Sequence, residues 1–121
     1  MKIFVVDDEK EMRDLLKKAL ERHIPDCEVS TFDSPTSAIA ALSQGKPDRI
    51  ITDWNMPGGG GQAVIEAAKK AGVPDKKIFV ISGDRVSPEE AKANLENASG
   101  LKIGGCLLKP FRLQKILDML K

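Results

Sequence analysis

Cysteine is scarce in this chain: Cys27 and Cys106 are the two among 121 residues. They lie far apart, with neither a disulfide framework nor the spacing of a zinc site. An excess of one charge is missing as well. Nineteen Lys and Arg against 18 Asp and Glu leave a net charge of +1, and no basic stripe or arm gives an electrostatic reason to bind nucleic acid. Long hydrophobic runs are absent: nothing approaches the roughly 18 apolar residues that a membrane span needs. The N-terminal apolar run Ile3-Phe4-Val5-Val6 is too short for a signal peptide. Internal repeats, low-complexity tracts and linkers are also lacking. Together these absences leave one soluble, reduced domain, expected in the cytoplasm and long enough to bury a continuous core.

What is present is alternation. Short β-branched runs at Ile3–Val6, Glu28–Phe32, Arg49–Thr52, Lys77–Ile81 and Cys106–Leu108 read as strands. Between the first two, Met12, Leu15, Leu16, Ala19 and Leu20 share one helical face. Ser34 followed by Pro35 opens a second helix, carrying Ala38, Ile39, Ala41 and Leu42 and ending at Gly45. A third runs from about Gln62 to Ala71, before Gly72 and Pro74. Ser87-Pro88-Glu89-Glu90 is a capping box that starts the fourth, and Leu113–Leu120 is the fifth. Strands each followed by a helix predict an α/β fold, with right-handed crossovers and a parallel sheet covered on both faces.

The chemically capable residues fall at strand ends. Asp7 and Asp8 close the first strand, Asp53 the third, Ser82 the fourth and Lys109 the fifth. Ligands of open parallel sheets bind beyond the carboxyl ends of the strands. Three carboxylates converging there repel one another and raise each other's pKa. A hard dication removes that conflict, and an oxygen-only set suits Mg²⁺. Asp53 can then act as a nucleophile on phosphorus. The Lys109 ammonium and the Ser82 hydroxyl can each take a phosphoryl oxygen, since phosphoryl transfer needs mainly positioning and charge neutralisation. Other candidates are weaker. Gly58–Gly61 lacks the following Lys-Ser/Thr of a nucleotide-binding loop. His23 and Cys27 are two ligands without partners. Cys106 reads as a small buried filler, and Trp54 as a partly exposed neighbour of Asp53.

The segments Val5-Val6-Asp7-Asp8-Glu9, Asp53-Trp54-Asn55-Met56-Pro57, Ile81-Ser82-Gly83 and Leu108-Lys109-Pro110-Phe111 resemble the response-regulator receiver domains of two-component signalling, over essentially the whole chain. The resemblance implies a flavodoxin-like doubly wound fold with strand order 2-1-3-4-5. It implies a switch whose Asp53 accepts a phosphoryl group from a sensor histidine kinase or histidine phosphotransfer protein, with Mg²⁺ as cofactor. Metal ligands by position are Asp8 directly, Asp7 largely through water, an Asp53 carboxylate oxygen and the Asn55 backbone carbonyl. Lys109–Pro110 is expected to be cis. The resemblance further implies catalysis of no reaction beyond the protein's own phosphorylation and dephosphorylation. Output passes to a downstream protein through the face made by the fourth helix, fifth strand and fifth helix, without direct contact to nucleic acid or membrane.

Three departures from the family pattern stand out. Cys106 occupies a position commonly held by a switching Tyr or Phe. The stretch from Ser82 to Lys109 is longer than usual, with the excess near residues 97–105. Gly60 stands where an Asp or Asn usually precedes the glycine opening the third helix, so Gly60 is the expected N-cap, in a mobile loop that stiffens on binding phosphate and Mg²⁺. Polar Asn55 and Asp84, two residues past Asp53 and Ser82, leave a path for water and predict a phosphoryl state lasting minutes or less. Two other functions compete. A phosphohydrolase using an aspartyl phosphate often carries its paired acids two apart on the first strand, unlike Asp7 and Asp8. A phosphate-independent interaction module would not need the complete acid set. No output domain follows the fifth helix, leaving a stand-alone receiver and one domain of a larger protein as alternatives.

Overall fold

The computed structural model describes residues 1–83 and 87–120. Its elements alternate along the chain as β1 (Lys2–Val6), α1 (Lys10–His23), β2 (Glu28–Phe32), α2 (Pro35–Leu42), β3 (Arg49–Asp53), α3 (Gly60–Lys70), β4 (Ile78–Ser82), α4 (Pro88–Ser99), β5 (Gly105–Leu108) and α5 (Leu113–Leu120). All strand pairs are parallel, in the order β2-β1-β3-β4-β5. This is the flavodoxin-like arrangement expected from the sequence, with β1 and β3 adjacent.

Strand alternation explains the two cores. Phe4, Val6, Ile50, Ile78, Val80 and Cys106 face α2, α3 and α4. Their neighbours Ile3, Val5, Ile51, Phe79, Ile81 and Leu107 face α1 and α5. A period of two on strands buried from both sides reads as a continuous apolar run, which is why β1 and β4 look featureless in the sequence. The α1 face is narrower than expected: Leu16, Ala19 and Leu20 are buried, but Leu15 is 47% exposed. At 100° per residue Leu15 lies on the edge of the stripe that Leu16 and Leu20 centre. Ile39 on α2 is likewise exposed, while Ala38 and Leu42 are buried.

Several boundaries move. Helix α2 ends at Leu42 instead of Gly45, where Ser43 caps it and Gln44 bonds back to Ala41. Lys77 belongs to a 3₁₀ turn, Asp75–Lys77, and β4 begins at Ile78. Helix α3 starts at Gly60, and its N-cap is Gly59, left-handed at φ 97°, instead of Gly60. The caps of α2 and α4 are those expected: Ser34 Oγ accepts from the Ser37 N–H, and Ser87 Oγ from the Glu90 N–H.

The long stretch before β5 is pinned by its own side chains. Helix α4 runs to Ser99 and stops at Gly100, left-handed at φ 73°. The Glu96 carboxylate accepts from the Ile103 N–H at 2.9 Å, Ser99 Oγ accepts from the Leu101 N–H, and Ile103 is buried. The Gly104 N–H then donates to the Ile78 carbonyl at 2.7 Å, which delivers the chain to β5.

Candidate functional site

Each strand of the sheet's centre and of its β5 side ends in a polar group. Asp7 directly follows β1, and its N–H extends the ladder by donating to the Phe32 carbonyl. The turn into α1 then fixes its side chain. The Glu9 N–H donates to Asp7 Oδ1 at 2.9 Å, and Arg13 Nη1 donates to the Asp7 carbonyl at 2.8 Å. The other oxygen, Asp7 Oδ2, is buried with no hydrogen-bond partner among the described residues.

Asp53 is the last residue of β3 and is 5% exposed. The chain after it is held tightly: the Trp54 N–H donates to the Ile81 carbonyl, and the Gly61 N–H to the Trp54 carbonyl at 2.8 Å. A Cβ built on Gly61 would lie 2.6 Å from the Asp53 carbonyl oxygen, and one on Gly60 would lie 2.7 Å from that of Trp54. Only glycine permits α3 to begin so close to the end of β3. Trp54 is partly buried, as expected, and Asn55 is exposed.

Ser82 closes β4, buried, and its carbonyl accepts the Lys109 N–H at 2.9 Å. Lys109 sits just past β5, and the Lys109–Pro110 peptide is cis. Its Nζ lies 3.3 Å from Glu9 Oε1, 3.5 Å from Asp53 Oδ2 and 3.8 Å from Asp7 Oδ2. Asp8, exposed at the rim, completes a cluster in which Asp7, Asp8 and Asp53 each offer an oxygen within 4.8 Å of the others.

The electrostatics follow from this geometry. Burial pushes the Asp7 carboxyl up to about 6, although the Glu9 N–H and the Lys109 charge pull the other way. Burial likewise raises Asp53, again opposed by Lys109. Burial alone would lower the Lys109 ammonium, but the carboxylates of Asp7 and Asp53 more than offset it, and its pKa rises. One ammonium shared among three acids does not neutralise them. An orphaned buried oxygen, an oxygen-only donor set and surplus negative charge fit a hard divalent cation.

The structure thus gathers Asp7, Asp8, Asp53 and Lys109 at one end of the sheet, with Ser82 joined to Lys109 through the backbone. Asp84 lies outside the described residues. Two residues of the site were not singled out from the sequence, Glu9 and Arg13. Their signal was position: Glu9 directly follows the acid pair at a strand end, and Arg13 stands one helical turn further. Among the described residues the three aspartates are the one cluster with metal-binding composition, and His23 and Cys27 join none. No helix among them is long and apolar enough to cross a membrane.

Comparison with known proteins agrees with this geometry. The model of the response regulator receiver domain matches residues 3–121. Chemotaxis protein CheY of Pseudomonas aeruginosa is 29% identical over 121 residues, covering 100% of this chain and 94% of that protein. The phosphate regulon transcriptional regulatory protein PhoB of Escherichia coli is 27% identical over 99% of this chain, which spans 50% of its length. The solved structure of chemotaxis protein CheY4 of Vibrio cholerae superposes with a TM-score of 0.76 at 27% identity, over 98% of this chain and 94% of that one. Receiver domains are phosphorylation-dependent signalling switches; they work with kinases or phosphotransfer proteins and bind a metal in an acidic pocket. With the match running from the first strand to the last residue, this chain belongs to the response regulator receiver domain family.

Proposed function

We propose that Asp53 is the phosphoacceptor of a signalling switch, charged from a phosphohistidine on a sensor histidine kinase or histidine phosphotransfer protein. The observation that carries this reading is the convergence of Asp53 Oδ2 with the Lys109 ammonium, 3.5 Å apart, beside the orphaned Asp7 Oδ2. Asp7, Asp8, Asp53 and the Asn55 backbone carbonyl would hold Mg²⁺, which supplies charge neutralisation for the phosphoryl oxygens. A carboxylate oxygen of Asp53 attacks phosphorus, and the donor's P–N bond breaks as the new O–P bond forms. The Lys109 ammonium binds one phosphoryl oxygen and the Ser82 hydroxyl another. Because its Oδ1 accepts the Glu9 N–H, Asp7 needs little reorganisation at the moment of transfer. The protein acts on no other substrate in this scheme.

Output would leave through α4, β5 and α5 toward a downstream protein. That face carries a hollow of about 500 Å³, lined by Pro88, Lys92, Gly105, Cys106 and Met119 among others. Cys106 is buried beneath it and is too small to act as a swinging ring. The readout therefore rests on backbone shifts of β4 and β5, which are tied at the site by the Lys109 N–H to Ser82 carbonyl bond. Asn55, exposed two residues past Asp53, leaves water a path to the phosphoryl group, and phospho-Asp53 is expected to last minutes or less. A lifetime of many hours, followed by loss of label after a chase, would contradict this.

Trp54 reports on the site directly. Its fluorescence should be quenched by Mg²⁺ and change again when beryllofluoride is added. The second change should vanish in Asp53→Asn. Labelling of Asp53→Asn by a phosphohistidine donor at the wild-type rate would falsify the assignment.

A further inference from the structure

Two sets of carboxylates overlap at this site without coinciding. Asp7, Asp8 and Asp53 form the cluster suited to a divalent cation. The Lys109 ammonium is paired with Asp7, Asp53 and Glu9. Asp7 and Asp53 are common to both, Asp8 belongs only to the first set, and Glu9 only to the second. A dication and an ammonium repel, and they cannot share the same two carboxylates at short range without cost. When the aspartates take up a cation, the hold of Asp7 and Asp53 on Lys109 weakens, and Glu9 is the one partner outside the cation cluster.

Glu9 is built to receive it. It stands at the N-cap of α1, yet its side chain makes no capping bond. Its N–H is spent on Asp7 Oδ1, and its carbonyl accepts the Arg13 N–H at 3.1 Å. The backbone is thus held on both sides, while the carboxylate reaches a lysine 100 residues away in sequence at 3.3 Å, the shortest of the three pairings. The flexible four-carbon stem of lysine lets the ammonium move between partners without backbone change.

Resting on the metal site proposed above, we infer that Glu9 is a positioning residue. It holds the Lys109 ammonium at the rim while Asp7 and Asp53 serve the cation, and releases it to the phosphoryl oxygen on transfer. The Glu9 carboxylate is no member of the cation cluster and takes no part in bonding to phosphorus. Its side chain is 63% exposed, so its hold is that of a solvated ion pair, worth about a two- to fivefold shift in occupancy.

The test reads Lys109 itself. The full chain and Glu9→Gln are treated with an N-hydroxysuccinimide acetate ester, with and without saturating Mg²⁺, and acetylation of Lys109 is followed by peptide mass spectrometry. Without Mg²⁺ the two proteins should react alike, because Asp7 and Asp53 still hold the lysine. With Mg²⁺, Lys109 should react about two- to fivefold faster in Glu9→Gln than in wild type, and Glu9→Asp should restore protection at least in part. Equal rates in wild type and Glu9→Gln, with Mg²⁺ quenching of Trp54 intact in both, would overturn the role of Glu9 and leave the metal site standing. Glu9 equally loses this role if Glu9→Gln lowers the thermal midpoint without changing Lys109 reactivity, since it would then serve only the α1 dipole. Absence of any Mg²⁺ response of Trp54 in wild type would overturn both.

Discussion

Burying Asp7 with one oxygen lacking a hydrogen bond places a cost on the folded, metal-free protein, and the cost has a sign. Its carboxyl rises from an ordinary 3.8 to about 6 on folding. The folded state therefore binds a proton more readily than the unfolded chain. The stability this contributes is complete below about 3.8 and is lost as pH rises through about 6. Urea unfolding in a chelator should thus find the Asp7 contribution falling between pH 4 and 7, and Asp53 adds in the same direction. Asp7→Asn should flatten the slope and stabilise the metal-free protein at pH 7.5 by about 1–3 kcal/mol. A steeper slope in Asp7→Asn would contradict this account. The same residues show what a sequence discloses at this scale. Asp7, Asp53, Ser82 and Lys109 were legible because each ends or directly follows a strand rich in apolar residues, where a polar side chain has few roles besides chemistry. Glu9 was not, because its partner is 100 residues away and only the closed sheet brings them together.

Among the connecting elements, the glycine run before α3 is the informative one. In the sequence it promised backbone freedom. In the structure it divides. Gly58 is left-handed at φ 83° with open space around its Cβ position, whereas Gly60 and Gly61 are pressed against the backbone of Asp53 and Trp54. Gly58→Ala should cost about 1–2 kcal/mol from left-handed strain alone and leave beryllofluoride affinity close to wild type. Gly61→Ala should cost about 1–3 kcal/mol through overpacking and weaken beryllofluoride binding, because relief of the clash must shift Asp53. Chemical denaturation and Trp54 titration of the two variants separate the effects. The shift of the α3 cap from Gly60 to Gly59 has the same origin. A helix start set by contact with another strand leaves no local mark, whereas Ser34 and Ser87 cap through bonds within four residues and are legible in the sequence. Lys77 misleads for a related reason, since the 3₁₀ turn that claims it is closed by a bond from its own N–H to the Pro74 carbonyl.

For the molecule as a whole, fold and proposed ligand are thermodynamically linked. Any cation that binds the folded aspartate cluster and not the unfolded chain must raise stability, by about 2.7 kcal/mol at a hundredfold excess over its dissociation constant. Thermal unfolding should shift upward with Mg²⁺ in wild type, and Asp8→Asn should abolish most of the shift. An Asp8→Asn midpoint that still climbs with Mg²⁺ would move the metal elsewhere. The parallel sheet covered on both faces was legible from the alternation of elements, whereas the strand order came only through the resemblance to receiver domains. The pinning of residues 100–104 by Glu96 and Ser99 was not, since it depends on side chains folding back over a helix end. The placement of Lys109 past the final strand also orders events in time. A chain emerging from the ribosome delivers its clustered acids first and their shared ammonium last. Until β5 docks, a partly assembled sheet carries an anionic cleft without its internal counter-charge. Docking of β5 therefore brings electrostatic relief to that cleft together with its packing.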